Sequence, residues 1–233
     1  MKNRLLILVL TLGSALNIFS QDYGVQWIQS PTPTTVMDFR NDTIQFHFIN
    51  DTIDAFNSTA NICDKQGNFL FFTNGILVFD RNGDKMPGGI WLSYYKPSVY
   101  LGIVGGLPTD QGVMILPKPG NNNLYYIFHY ATTDTSFLYL SYGYTEPTHF
   151  YYSVVDMNAR SGLGDVIQKD VRLPLEGVTC TSKMTAVKHA NGRDWWIIRH
   201  GWLDNTYIKF LLTPDSVLGP YFQKIGRPLI KTI

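Results

Sequence analysis

The chain has 233 residues, of which 45% are hydrophobic and 16% charged, and its formal net charge is +1. So little net charge, with no basic or acidic block, gives no electrostatic footprint for a nucleic acid. The apolar content suffices for one sizeable core or two smaller ones, and 14% aromatic residues favour pleated, half-buried surfaces and hence an all-β chain.

The first twenty residues differ in kind from the rest. Lys2 and Arg4 supply positive charge, Leu5 to Leu12 is a compact apolar run, and small Ser20 precedes Gln21. This is the three-part plan of a signal peptide over 1–20, cleaved near Ser20–Gln21, with the mature protein secreted or held at the cell surface. The apolar run is too short to span a bilayer comfortably and no later stretch is long enough, so no membrane span is expected in the mature chain. Residues 21–42, with Pro31 and Pro33, show little pattern and read as a lead-in segment.

From Thr43 onward, strand signals recur at short intervals. "TIQFHFIN" (from Thr43) alternates apolar and polar residues, and "NFLFFT" and "ILVFD" follow on either side of Asn74-Gly75. Then come "GVMILP", "NLYYIFHY", "FYYSVVDM", "MTAVKHA", "DWWIIRH" and "TYIKFLLT", each five to eight residues long and bounded by turn residues. No stretch keeps a capped 3.6-residue period. Turns are expected at "DKQGN", "DRNGD" and "KPGNNN", and Asn191-Gly192 suits a type I′ hairpin tip.

Three diverged units are visible, beginning "ANICDKQGNFLFFTNG", "GVMILPKPGNNNLYYIFHY" and "MTAVKHANGRDWWIIRHGW". Each has an apolar strand, a polar turn, and a second strand opening on paired aromatics: Phe71-Phe72, Tyr125-Tyr126 and Trp195-Trp196. A third strand follows each pair, after an insertion in the second unit. A unit of three or four strands cannot cover both of its faces alone, and radial packing of such units makes a propeller of four to eight blades. Residues 43–233 therefore read as a partial β-propeller of about three blades, with a β-sandwich as the alternative. "FQKIGRPLIKTI" at the end shows no closing strand pattern, so the repeat region is expected to be the front of a longer propeller.

"KHANGRDWWIIRHGW" (from Lys188) concentrates the reactive residue types. As a hairpin it pairs His189 with Asp194, Lys188 with Trp195 and Val187 with Trp196. A His–Asp contact is half of a triad, but no activated Ser or Cys accompanies it, so the corner reads as mainly structural. Trp195 and Trp196 point to opposite faces and suit packing between sheets; with Trp202, His189 and Asp194 they are also the candidate ligand-binding residues, as a sugar platform if exposed.

These motifs carry a family likeness. "NICDKQGNFLFFTNGILVFDRNGDKMPGG", "GVMILPKPGNNNLYYIF", "YYSVVDMNARSGLGDVIQKDV" and "MTAVKHANGRDWWIIRHGW" occur in one order. Together they resemble the propeller-like, WD-repeat-related region near the amino terminus of large secreted Bacteroidetes proteins, which end in type IX secretion sorting or gliding-motility-associated domains. The likeness spans roughly Ser58 to Leu212. It implies export, a propeller, and display or release at the surface; it carries over no catalytic residue, and the later blades and sorting domain are missing here. Asp42-Thr43-Ile44, Asp51-Thr52-Ile53 and Asp215-Ser216-Val217 resemble the O-glycosylation motif of the same bacteria, which makes Thr43, Thr52 and Ser216 candidate acceptors.

Other chemistry is weakly signalled. "DRNGD" lacks the later ligands of a calcium loop and reads as a turn. The five histidines have no ligand spacing, and there is neither a phosphate loop nor a nucleophile elbow, so no catalytic residue, metal or cofactor is assigned. Cys63 and Cys180 read as two buried thiols, with a single disulfide as the alternative. The expectation is an exported, non-catalytic propeller module presenting a binding surface, whose partners are other blades or domains of a longer chain, and surface glycans or proteins. The alternative is a carbohydrate-binding or glycosidase-like propeller.

Overall fold

The structure, a computed structural model, describes residues 22–29, 34–49, 53, 58–92, 106–107, 111–132, 147–175, 179–201 and 205–227. These residues form an all-β arrangement of four antiparallel sheets. The first has three strands, β1 (Gln26–Gln29), β2 (Thr35–Asp38) and β3 (Gln45–Phe48). Each of the others is a four-stranded meander. One comprises β4 (Ala60–Cys63), β5 (Phe69–Thr73), β6 (Leu77–Asp80) and β7 (Lys85–Ile90). The next comprises β8 (Val113–Pro117), β9 (Leu124–Thr132), β10 (Pro147–Asp156) and β11 (Asp165–Arg172). The last comprises β12 (Thr179–Lys188), β13 (Trp195–Gly201), β14 (Thr206–Leu212) and β15 (Val217–Lys224). Among the described residues no helix is long and apolar enough to cross a membrane.

The sheets pack in series. Side chains alternate between the two faces of a strand, so adjacent aromatics go to opposite sides. Phe72 joins Phe79 and Ile53 between the first and second sheets, whereas Phe71 joins Ile115, Ile127 and Tyr125 between the second and third. Tyr126 crosses to the next layer, where Phe128, Phe150, Ile197, Ile208 and Phe210 fill the space between the third and fourth sheets, with Trp195 packed against them. Phe71 and Tyr125 meet edge-to-face at 5.8 Å, a favoured aromatic geometry. The opening strands β4, β8 and β12 lie beside one another in that order, β1 lies beside β4, and the closing strands β7 and β11 are also neighbours.

Every strand expected from Thr43 to Leu212 is present, but each repeat has a fourth: β7, β11 and β15. All three are sheet edges, where proline and charge are tolerated. Pro87 in β7, four charged residues in β11 and Gly219-Pro220 in β15 hide the alternation that identifies a strand. The segment read as a patternless lead-in, 21–42, contains β1 and β2, which pair with β3 through Val36↔His47 and Ile28↔Val36. The terminal "FQK", expected to lie outside strand structure, completes β15. The signal segment and most of the second-unit insertion lie outside the described residues.

The outer seam between the second and third sheets is polar and close. Asp80, fully buried, is held by Arg160 at 3.0 Å. The Gly88 N–H donates to Asp165 Oδ1 at 2.9 Å, and Lys169 Nζ donates to the Ile90 carbonyl at 3.0 Å. A Cβ on Gly88 would sit 2.2 Å from the Val166 carbonyl oxygen, which is backbone and cannot swing aside. Gly88→Ala is therefore expected to lower stability by about 1–3 kcal/mol, the usual cost of overpacking, seen as a lower urea midpoint with β-sheet circular dichroism retained.

Candidate functional site

The hairpin between β12 and β13 has the expected register, Lys188↔Trp195 and Val187↔Trp196. Its tip differs from the type I′ expectation. That turn needs two residues of positive φ, and here Gly192 has it (φ 71°) while Asn191 does not. The reason is local hydrogen bonding. Asn191 Oδ1 accepts the N–H groups of Arg193 and Asp194, both at 3.0 Å, and the Gly192 N–H donates to the His189 carbonyl. An asparagine that mimics the backbone in this way stabilises a wider turn.

His189 and Asp194 are joined through the backbone, the His189 N–H donating to the Asp194 carbonyl at 2.9 Å. Their side chains turn to other partners. His189 Nδ1 accepts the Asn191 N–H, and the buried Asp194 carboxylate takes Arg193 Nε at 2.7 Å and Asn191 Nδ2 at 2.8 Å. The hydrogen bonds from Arg193, then those from Asn191, hold the Asp194 pKa below the usual carboxylate range. Neither side chain is available to the other as a base or its orienter.

Trp195 and Trp196 take opposite faces. Trp195 packs on the core between the third and fourth sheets, with Lys188 Nζ 4.1 Å from its ring centroid. Trp196 lies on the far face of the last sheet, edge-to-face with Tyr221 at 5.9 Å and in a row with Val187 and Leu211. Trp202 and Thr52 lie outside the described residues; Thr43 and Ser216 are both exposed.

Trp195 also lines a cleft of about 420 Å³ that composition and motif searching did not point to. Its walls are the first turn of each four-stranded sheet: Lys65 from β4–β5, Lys118 to Asn122 from β8–β9, and Lys188, Gly192 and Arg193 from β12–β13, with Tyr23 beside them. The three turns share one hydrogen-bond scheme. Asp64, Lys118 and His189 each receive an N–H three residues on, and each donates its own N–H across the hairpin, to Asn68, Leu124 and Asp194. An Asx carboxylate or amide pins each one: Asp64, Asn121 and Asn191. The signal was present in the aligned repeats, which each carry a lysine at the strand-to-turn border.

A second constellation is buried in the third sheet. His129 Nε2 lies 3.0 Å from Ser153 Oγ and 3.6 Å from Asp170 Oδ1. A triad needs its serine and carboxylate on opposite imidazole nitrogens; here both face the same one, and His129 and Ser153 are fully buried. Burial pushes the His129 pKa down to about 3, so the ring is a neutral packing group. Burial likewise pushes the Cys63 thiol up to about 11; Cys63 is free, and the Cys180 side chain is outside the described set. "DRNGD" is a hairpin turn in which Asp80 Oδ1 accepts the N–H groups of Asn82 and Asp84. Among the described residues no three His, Cys, Asp or Glu side chains are placed to hold a metal ion.

Compared with known proteins, the chain matches no family model, no curated protein and no solved structure.

Two outcomes follow from this geometry. Asp194→Ala strips the Arg193 and Asn191 side chains of their shared acceptor and is expected to cost about 1–2 kcal/mol, read as a lower melting temperature. His129 binds its proton near pH 6.5 when unfolded but only near 3 when folded. The unfolded state thus holds more protons between those values, and stability falls as pH drops from about 6.5 towards 3, by up to about 1.4 kcal/mol per unit. Urea titrations across this range check it, and His129→Gln is expected to flatten the upper part of the slope.

Proposed function

We propose that this chain is an exported, non-catalytic β-propeller module of a cell-surface or secreted bacterial protein, presenting a binding surface. The observation that carries the reading is the serial packing of meander sheets with their opening strands β4, β8 and β12 side by side. Such an array has inner and outer strands in each unit and a shared end where equivalent turns converge, which is how propeller blades are built. A two-layer sandwich has one core between two sheets; three separate clusters between four sheets favour the propeller. Export rests on the 1–20 segment, and the bacterial setting on the resemblance of the repeat motifs.

The natural partners are further sheets or domains. Trp27 and Phe46, both more than half exposed, stand on the outer face of the first sheet with Met37 between them. Val187, Trp196, Leu211, Leu218 and Tyr221 form the outer face of the last. In the inner layers the same aromatic positions are covered by a neighbouring sheet. The cleft favours a binding role over glycoside hydrolysis, since among the described residues none that lines it is an Asp or Glu and hydrolysis draws on a carboxylate pair.

Two measurements test the reading. Expression of the full sequence in a Gram-negative host is expected to yield an exported product whose mass begins at Gln21; an uncleaved cytoplasmic product overturns the export reading. Sedimentation velocity of that product is expected to show self-association through the open apolar faces, shifted towards monomer by Trp196→Glu. A wild-type monomer unaffected by the substitution removes the case for a covering sheet.

A further inference from the structure

We infer that the cleft ringed by the three first turns binds an acidic saccharide, with the lysines receiving its carboxylate or sulfate group. This rests on the module reading only for its biological setting; the charge argument stands on the cleft alone.

Lys65, Lys118 and Lys188 all line it. Among the described residues no carboxylate comes within 4 Å of any of the three ammonium groups, while Arg193 is already neutralised by Asp194 at 2.7 Å. Three lysines with no direct carboxylate partner therefore line one cleft of a protein whose whole net charge is +1; Lys188 stands over the Trp195 ring and feels Asp194 at longer range. Like charges gathered in a concave, partly desolvated site focus the potential and attract a counter-ion. The gathering has an internal signature: burial, then the nearby Lys65 charge, lower the Lys188 pKa, and the Asp194 carboxylate offsets them only in part. A bound anion relieves that repulsion.

The rest of the lining says what carries the anion. Asn122 brings a side-chain amide, Asn121 an amide whose oxygen already holds the turn, Gly120 and Gly192 bring backbone, and Tyr23 and the Lys188-capped Trp195 bring aromatic rings to the lining. The Trp195 indole N–H is buried and has no hydrogen-bond partner among the described residues. Polar donors beside aromatic rings fit a hydroxyl-rich ring better than an apolar ligand. The volume of about 420 Å³ lies in the range of small-ligand sites. A nucleic acid would need a longer basic track than three turns supply.

The test is titration calorimetry of the mature chain with a uronic-acid trisaccharide, its carboxyl-reduced neutral counterpart, and inorganic sulfate. The uronate is expected to bind, with affinity falling as salt rises, and the neutral sugar to bind at least about tenfold more weakly, the worth of one charged hydrogen bond. Lys65→Gln, Lys118→Gln and Lys188→Gln are each expected to weaken the uronate about three- to tenfold, with Lys224→Gln on β15 as an inert control. Melting temperature and sedimentation of the variants are expected to stay at wild-type values, which separates loss of this site from failure of the module reading. Equal binding of charged and neutral sugars, no binding of either, or sulfate binding alone as an adventitious ion only, each overturns the proposal.

Discussion

The structure depends on the adjacent aromatic pair carried by the second strand of each meander. A free-standing sheet has two faces and covers neither. Phe71-Phe72 in β5 and Tyr125-Tyr126 in β9 each send one large ring into the layer before their sheet and one into the layer after, while Trp195 of β13 enters the layer before and Trp196 stands on the outer face. The layers are thereby linked in chain order, and each inner sheet gains its stability from both neighbours at once. Burial of one such ring contributes on the order of 2–3 kcal/mol, so no sheet here is an independent unit.

That arrangement constrains the seams. Where aromatic side chains fill the space between sheets, the strands stand apart; at the outer edge β7 and β11 approach until only glycine fits at position 88. The polar links there, Asp80 to Arg160 and Asp165 to the Gly88 amide, satisfy groups that the approach removes from water. Conserving hydrogen bonds while excluding water is what keeps such a contact from being a net cost. The buried His129–Ser153 pair plays the same part inside the third sheet, as a neutral ring with a hydroxyl partner rather than as catalytic machinery.

Serial packing also creates the site. Because the three sheets are stacked with the same polarity, their first turns arrive at one end, and residues far apart in sequence, from Lys65 to Arg193, become one lining. The turns themselves are held by Asp64, Asn121 and Asn191, each fixing backbone amides, so the lysines at their borders project from stiff supports. A surface assembled from rigid turns on a packed scaffold is a common way for a fold to carry recognition.

The sequence by itself determined the all-β class, the three repeats, the opposed aromatics and the Lys188↔Trp195 register, because strand alternation and turn chemistry are local and survive in the order of residues. It did not reveal β1, β2 or the fourth strands β7, β11 and β15. In the edge strands β1, β7, β11 and β15 one side lacks a partner, so proline, glycine and charge are allowed and the pattern is lost; β2, central in its sheet, is only four residues long and too short to show an alternation. It also suggested a type I′ tip at Asn191-Gly192, where the asparagine amide instead captured its own turn. Only the tertiary structure decided that His189 and Asp194 face other partners, that Trp195 faces the core while Trp196 faces outward, and that three lysines from three repeats share a cleft. Those facts depend on which sheet lies next to which, and that follows from long-range packing that no local spacing records.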